Sequence, residues 1–244
     1  MKQSVFTVLE NRSLAASVFR MRLRGCTEEI RQPGQFVNLS LPGFFLRRPI
    51  SVCDVEDDVL TLIYKTVGHG TEYLSALSPG STLDVLTGLG NGYDLSRAGA
   101  RPLLLGGGVG VPPLFLLARR LLARGAEVHA VLGFNSAADV FYEAEFRALG
   151  CTVTVTTADG SRGIHGFVTD ALPQDRTFFY ACGPEPMLKA VCSRTEIPGQ
   201  LSLERRMGCG FGACMGCSCR TVSGFKRICR EGPVLDKEEI QWES

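Results

Sequence analysis

Through the first 98 residues, apolar and polar positions alternate in short runs such as VFTVLEN, SVFRMRLR, GQFVNLSL and VLTLIYKTV, separated by QPG, LPG, SPG and GNG. A period of two turns one face of each run inward, and the Gly/Pro tripeptides reverse the chain between runs. The pattern predicts an antiparallel sheet or barrel over residues 1–98. From Arg101 the texture changes. Short apolar strands (PLLLGGG, EVHAVLGF, CTVTVTTA, TFFYACG) interleave with helical stretches (PPLFLLARRLLARG, ADVFYEAEFRALG, PEPMLKAVCSR). That alternation predicts an α/β domain over residues 99–200, with helices on both faces of a parallel sheet. Residues 201–244 are rich in glycine and cysteine and read as a small third domain that needs a staple to fold. The fold class is thus β + α/β, without internal repeats or long linkers.

A chain of 244 residues, 45% hydrophobic, is long enough for this arrangement. Its formal charge of +1, with Lys and Arg scattered, points away from nucleic acid and anionic membranes as partners. The start, MKQSVFTVLENRS, lacks an apolar signal core, and no apolar run reaches the length of a membrane span, so the expected location is cytoplasmic. That location changes the reading of the ten cysteines: thiols kept reduced bind metal or do redox chemistry more often than they form disulfides. Cys26, Cys53, Cys151, Cys182 and Cys192 are dispersed and read mainly as small buried apolar side chains. The other five lie between Cys209 and Cys229.

Within RRMGCGFGACMGCSCR, Cys209, Cys214 and Cys217 form C-x4-C-x2-C, followed by Cys229, and the first three match the ligand run of a plant-type 2Fe-2S cluster. Gly208, Gly210, Gly212 and Gly216 let the backbone wrap tightly and aim N–H groups at the sulfurs. A four-cysteine zinc site is the alternative. Cys219 falls outside the spacing; it is either buried beside the ligands or replaces one of them.

Three further stretches have the chemistry of cofactor sites. In LLLGGGVGVPPL, a strand runs through Gly106, Gly107, Gly108 and Gly110 into a helix with Pro112 near its first turn. The N–H groups and dipole of such a helix start suit a pyrophosphate, although Val111 stands where G-x-G-x-x-G has its last glycine. In YACGPEPMLKAV, Cys182 ends a strand and Gly183-Pro184 opens the turn, where open α/β sheets bind ligands; Cys182 either faces a nicotinamide ring or packs under the turn. In FFLRRPISVCD, Arg48 beside Pro49 is placed to clamp a phosphate, with the Ser51 hydroxyl on a ring or ribityl group. Downstream, Gly70 and Thr71 precede an apolar helix, with Thr71 expected as its cap. No clean acidic partner for a ribose follows the glycine turn; Asn135-Ser136 stands there instead, and the absence of an arginine pair favours NADH over NADPH.

The order R-P-I-S, G-x-G-T, G-G-G-V-G-x-P and C-G-P-x-P-M resembles the ferredoxin-NADP reductase superfamily over essentially the whole chain. The tail M-G-C-G-F-G-A-C-M-G-C, with a final C-R-E-G-P-V, resembles the electron-transfer subunits of class 1B dihydroorotate dehydrogenases. The resemblance implies a relay between NAD(H), FAD and a 2Fe-2S cluster, exchanging electrons with FMN in a separate catalytic subunit of pyrimidine biosynthesis, in a heterotetramer of two plus two. It implies that Arg48, Pro49, Ile50, Ser51, Lys65, Val67, Gly70 and Thr71 contact FAD. Cys209, Cys214, Cys217 and Cys229 would bind iron, and Glu204, in S-L-E-R-R-M, would lie near flavin and cluster. The cofactors then carry the chemistry and no general acid is expected; His69, His129 and His165 are isolated in sequence. Three details depart from the usual pattern: the short gap from Cys217 to Cys229, read as a trimmed hairpin VSGFKR, Lys65 where an arginine is more usual, and the missing acidic ribose partner. Phe211 and Met215 are expected at a protein interface or packed as local core. Two other readings remain. One is the small subunit of an NADH-dependent ferredoxin:NADP or sulfide-linked reductase, whose tails often carry an aspartate in place of Cys209; the other is a zinc-stapled nucleotide-binding module.

Overall fold

A computed structural model describes residues 1–242. Strands β1 (Lys2–Ala15), β2 (Val18–Arg24), β3 (Phe36–Ser40), β4 (Arg48–Glu56), β5 (Val59–Lys65) and β6 (Thr82–Leu89) close into an antiparallel barrel in the order β1-β2-β5-β4-β3-β6, with helix α1 (His69–Ser75) between β5 and β6. Alternate side chains such as Phe6, Met21, Leu23, Val37, Leu39, Val52, Leu60, Leu62 and Val85 are fully buried, each worth about 1.5–3 kcal/mol of transfer from water. Closure leaves no unpaired edge.

The second layer alternates as expected: β7 (Leu103–Gly107), α2 (Pro113–Leu122), β8 (His129–Phe134), α3 (Glu143–Leu149), β9 (Thr152–Thr157), β10 (Ile164–His165), β11 (Phe179–Cys182), α4 (Glu185–Arg194) and β12 (Gly199–Ser202). Their sheet runs β10-β9-β8-β7-β11-β12, all parallel. Strand order reverses at β7, which lies between β8 and β11, and the crevice beyond the strand ends at such a reversal is where this class of sheet binds ligands. The helix predicted over 138–150 begins only at Glu143, because Tyr142 takes a left-handed φ of 64° and turns its ring edge-on to Phe115, 5.1 Å away.

The last segment contains β13 (Ser218–Thr221), β14 (Gly224–Arg227) and β15 (Val234–Asp236). It also adds β15 antiparallel to β12 at the edge of the large sheet. Asn91, just after the barrel, exchanges hydrogen bonds with Val234. Barrel and sheet are joined as well: Arg119 of α2 pairs with the buried Asp54 at 2.7 Å, Leu116 enters the barrel core, and the Tyr93 hydroxyl donates to the Ala181 carbonyl. Among the described residues, no helix is long and apolar enough to cross a membrane.

Candidate functional site

At the reversal point two glycine turns interlock. Gly106 of β7 lies beside Cys182 of β11. A Cβ on Gly110 would sit 2.3 Å from the Cys182 carbonyl oxygen, and one on Gly107 would sit 2.5 Å from the Met187 sulfur. Glycine is needed at Gly110, where backbone already fills the space, whereas at Gly107 the obstacle is the flexible Met187 thioether. Gly108, at φ +52°, instead faces open space, just before α2 starts at Pro113 with Pro112 as its cap. Pro112 and Pro113 carry no N–H, and those of Val111, Leu114 and Phe115 are bonded to carbonyls of the turn, so an anion here would be met by the backbone of Gly108–Gly110. Cys182 is half-buried beneath the turn, beside Ser202 of β12. Burial pushes its thiol up to about 12, against a hydrogen bond from Ser202, so it stays protonated.

Beside the second turn is a cleft of about 860 Å³, lined by Leu46, Arg47, Arg48 and Pro49 of the barrel, by Gly183, Glu185 and Leu188 of the C-G-P turn and α4, and by residues 203–207, including Glu204; Gly106, Gly107, Gly108 and Gly110 do not line it. Arg48 lies over Gly70, where a Cβ would meet its guanidinium at 2.2 Å, and stacks on Phe44 at 4.8 Å. Ile50 and Ser51 continue β4, opposite Val37 and Phe36. Lys65 is exposed at the end of β5 and Val67 is 79% exposed just beyond it. Thr71 is not the helix cap. Gly68 is, and the Thr71 hydroxyl accepts from the N–H groups of Val67 and Gly68, closing the loop onto the third helical position.

The cysteine loop follows directly from the cleft. Among the described residues no three His, Cys, Asp or Glu side chains gather as one ion requires. The four thiols instead stand as two pairs. The N–H groups of Ala213 and Cys214 donate to the Cys209 sulfur at 3.3 and 3.4 Å, Cys209 N–H donates to Cys214 Sγ, and Cys229 N–H donates to Cys217 Sγ. Burial opposes ionisation of Cys209, but the backbone donors outweigh it and hold the thiol at about 6, ready to bind a cation. At Cys229, burial and the neighbouring Cys217 push the thiol up to about 12. Arg227, paired with Glu231, donates to Gly212 O at 2.8 Å, so the β13–β14 hairpin (the VSGFKR stretch) braces the loop. A donor set of two thiol pairs with N–H groups on sulfur fits a two-iron cluster. Cys219 is buried in β13 within the same apolar cluster as Cys217 and Cys229. Phe211 and Met215 are 42% and 55% exposed beside the thiols rather than packed inward.

Sequence reasoning missed three features. Glu185 is held by Arg205 at 2.8 Å and Lys189 at 3.0 Å at the cleft wall. After β8, Asp139 accepts from the Ser136 N–H and hydroxyl, a local capping box that the sequence reading did not anticipate. Asn38 donates from β3 to the Cys209 carbonyl. None of the histidines lines the cleft: His69 is exposed beside Glu72, His165 is exposed in β10, and His129 is buried against Thr154.

A closed antiparallel barrel beside a parallel nucleotide-binding sheet, with a cysteine loop at their junction, defines a ferredoxin-NADP reductase-like oxidoreductase. Residues 204–241 match the iron-sulfur cluster binding domain of dihydroorotate dehydrogenase B, and residues 104–193 match the oxidoreductase NAD-binding domain. The chain is 44% identical to the dihydroorotate dehydrogenase B (NAD(+)) electron transfer subunit of Geobacillus sp. (strain WCH70), covering 98% of this chain and 99% of that one. It is 40% identical to the same subunit of Fusobacterium nucleatum over the full length of both. The solved NADH-dependent reduced ferredoxin-NADP oxidoreductase superposes with a TM-score of 0.89 at 30% identity, covering 98% of this chain and 90% of that one. This chain belongs to the family of dihydroorotate dehydrogenase B electron transfer subunits.

Proposed function

We propose that this chain is the oxidoreductase subunit that relays electrons between NAD(H) and an FMN-containing dihydroorotate dehydrogenase catalytic subunit, acting in cytoplasmic pyrimidine biosynthesis as a heterotetramer of two plus two. Bound FAD supplies hydride chemistry and a bound 2Fe-2S cluster supplies one-electron chemistry. The chain's own residues bind and orient. Arg48, Pro49, Ile50 and Ser51, with Lys65, Val67, Gly70 and Thr71 around them, hold FAD on the outside of the barrel. Gly106, Gly107, Gly108 and Gly110 receive the pyrophosphate of NAD(H). Cys182, Gly183 and Pro184 shape the nicotinamide end, while Cys209, Cys214, Cys217 and Cys229 hold the irons. Domain limits of 1–98, 99–200 and 201–244 separate these tasks, although β15 ties the third unit to the sheet of the second.

The observation that carries this reading is that one cleft is lined by Arg48 and Pro49, by Gly183 and by Glu204, with Cys209 two residues beyond its last lining residue, Met207. That arrangement supports a hydride acceptor standing between nucleotide and cluster. The test is the visible spectrum of anaerobically purified protein before and after NADH, with iron and zinc assayed on the same sample. Flavin and iron-sulfur bands that both bleach are expected; a colourless zinc protein would overturn the reading. A second reading, the small subunit of a ferredoxin-NADP oxidoreductase, is favoured by the 0.89 TM-score neighbour. NAD reduction driven by dihydroorotate in the reconstituted complex separates the two.

A further inference from the structure

We propose that Asn38 is the positioning residue that seats the cysteine loop on the flavin-binding barrel, orienting the Cys209 peptide so that electrons cross from flavin to cluster. The proposal rests on the cofactor assignment above and adds a residue to it.

In β3, Val37 and Leu39 point into the barrel, so position 38 faces outward by the two-residue period of a strand. An outward asparagine is ordinarily solvated, yet Asn38 is only 1% exposed. The cysteine loop covers it. Its Nδ2 donates to the Cys209 carbonyl at 3.1 Å, and a Cβ on Gly210, at φ +79°, would sit 2.3 Å from the same nitrogen. The loop thus lies directly on the amide, and only glycine allows the approach. On the other side, Asn38 stands opposite Pro49 of β4 and beside Leu86 of β6. One residue therefore spans from the R-P-I-S strand to the backbone of Cys209.

The contact also carries an energetic cost. Asn38 Oδ1 is buried without a hydrogen-bond partner. Burying an unsatisfied polar atom carries a desolvation cost that a leucine of similar volume would avoid. What the amide alone provides is a donor to Cys209. The backbone beneath it is also braced: Arg47, paired with Asp84 at 2.8 Å, donates to the Asn38 carbonyl at 3.2 Å. Cys209 is then gripped at both ends, its sulfur by Ala213 and Cys214 of its own loop and its carbonyl by the barrel. Partners that orient metal ligands in this way typically change affinity or activity about 10–100-fold when removed.

The test uses the flavin- and iron-loaded protein with Asn38→Leu, which keeps the volume and removes the donor, and Asn38→Asp, which keeps the shape and removes the donor. FAD and iron contents, the cluster midpoint potential and stopped-flow reduction by NADH are measured on each. We expect flavin reduction at the unsubstituted rate, a shifted cluster potential, and electron arrival at the cluster slowed about tenfold or more; loss of iron with FAD retained supports the same role. Unsubstituted potential and cluster kinetics in both variants would overturn the proposal, as would loss of FAD from both, which would place the role of Asn38 in the barrel alone. Absence of flavin or iron-sulfur bands from the unsubstituted protein would overturn the cofactor assignment along with it.

Discussion

The cysteine loop and the cleft beside it lie in contact but are built in opposite ways. The thiols come from one short segment, Cys209 to Cys229, whose glycines and hairpin place donors on sulfur through local backbone geometry. The cleft is assembled from three segments, residues 46–49 at the start of β4, the C-G-P turn with α4, and residues 203–207. A local site depends on its own residues; an assembled one depends on the barrel and sheet staying in register. Damage to the two should therefore separate.

The largest expected effect is the sharpest test of that separation. Cys214→Ser removes one member of a thiol pair and should abolish the iron-sulfur bands, while FAD content and NADH-driven flavin bleaching remain. Loss of FAD as well would show that the two regions are a single unit. Next, Gly110→Ala forces a methyl group into the Cys182 carbonyl, a backbone atom that does not yield. It should lower stability by about 3 kcal/mol and raise the KM for NADH, with iron content unchanged, as read from urea midpoints and steady-state kinetics.

Smaller effects sharpen the boundary from either side. Cys219→Ser, buried beside Cys217 and Cys229, should lower stability by about 1–2 kcal/mol through burial of a hydroxyl, yet keep the iron-sulfur bands; their loss would make Cys219 a ligand. Glu185→Gln breaks the pair with Arg205 at the cleft wall, worth about 0.2–1 kcal/mol at neutral pH. The hydrogen bond from Arg205, then that from Lys189, holds the Glu185 carboxyl below its ordinary 4.5. A depressed carboxylate stabilises the fold fully above that value and loses its contribution as pH falls through the folded-state value. Urea midpoints of the two proteins should therefore differ at pH 7 and converge in acid. A gap that persists in acid would assign the effect to packing.

These contrasts explain which features were legible from the chain alone. Cysteine spacing, glycine turns and strand periods are local, so C-x4-C-x2-C, LLLGGGVGVPPL and the two layers could be read directly. Thr71 was misplaced by three positions because Gly68, with no side chain to announce it, starts the helix. The start of α3 was missed because Tyr142 obeys a contact with Phe115 rather than local helix propensity. Asn38 carries no local signal, because nothing near it in sequence says that Cys209 will cover it.

By itself, then, the sequence determined most of the elements, the cysteine spacing and the glycine positions, since each follows from backbone sterics or ligand chemistry within a few residues. Only the tertiary structure decided that Arg48 lies over Gly70, that Gly110 meets Cys182, that β15 completes the sheet edge, and that Asn38 holds Cys209. Those pairings join segments far apart along the chain. They arise when apolar faces close the barrel and the sheet together, and no local pattern of residues specifies which polar groups that closure brings into contact.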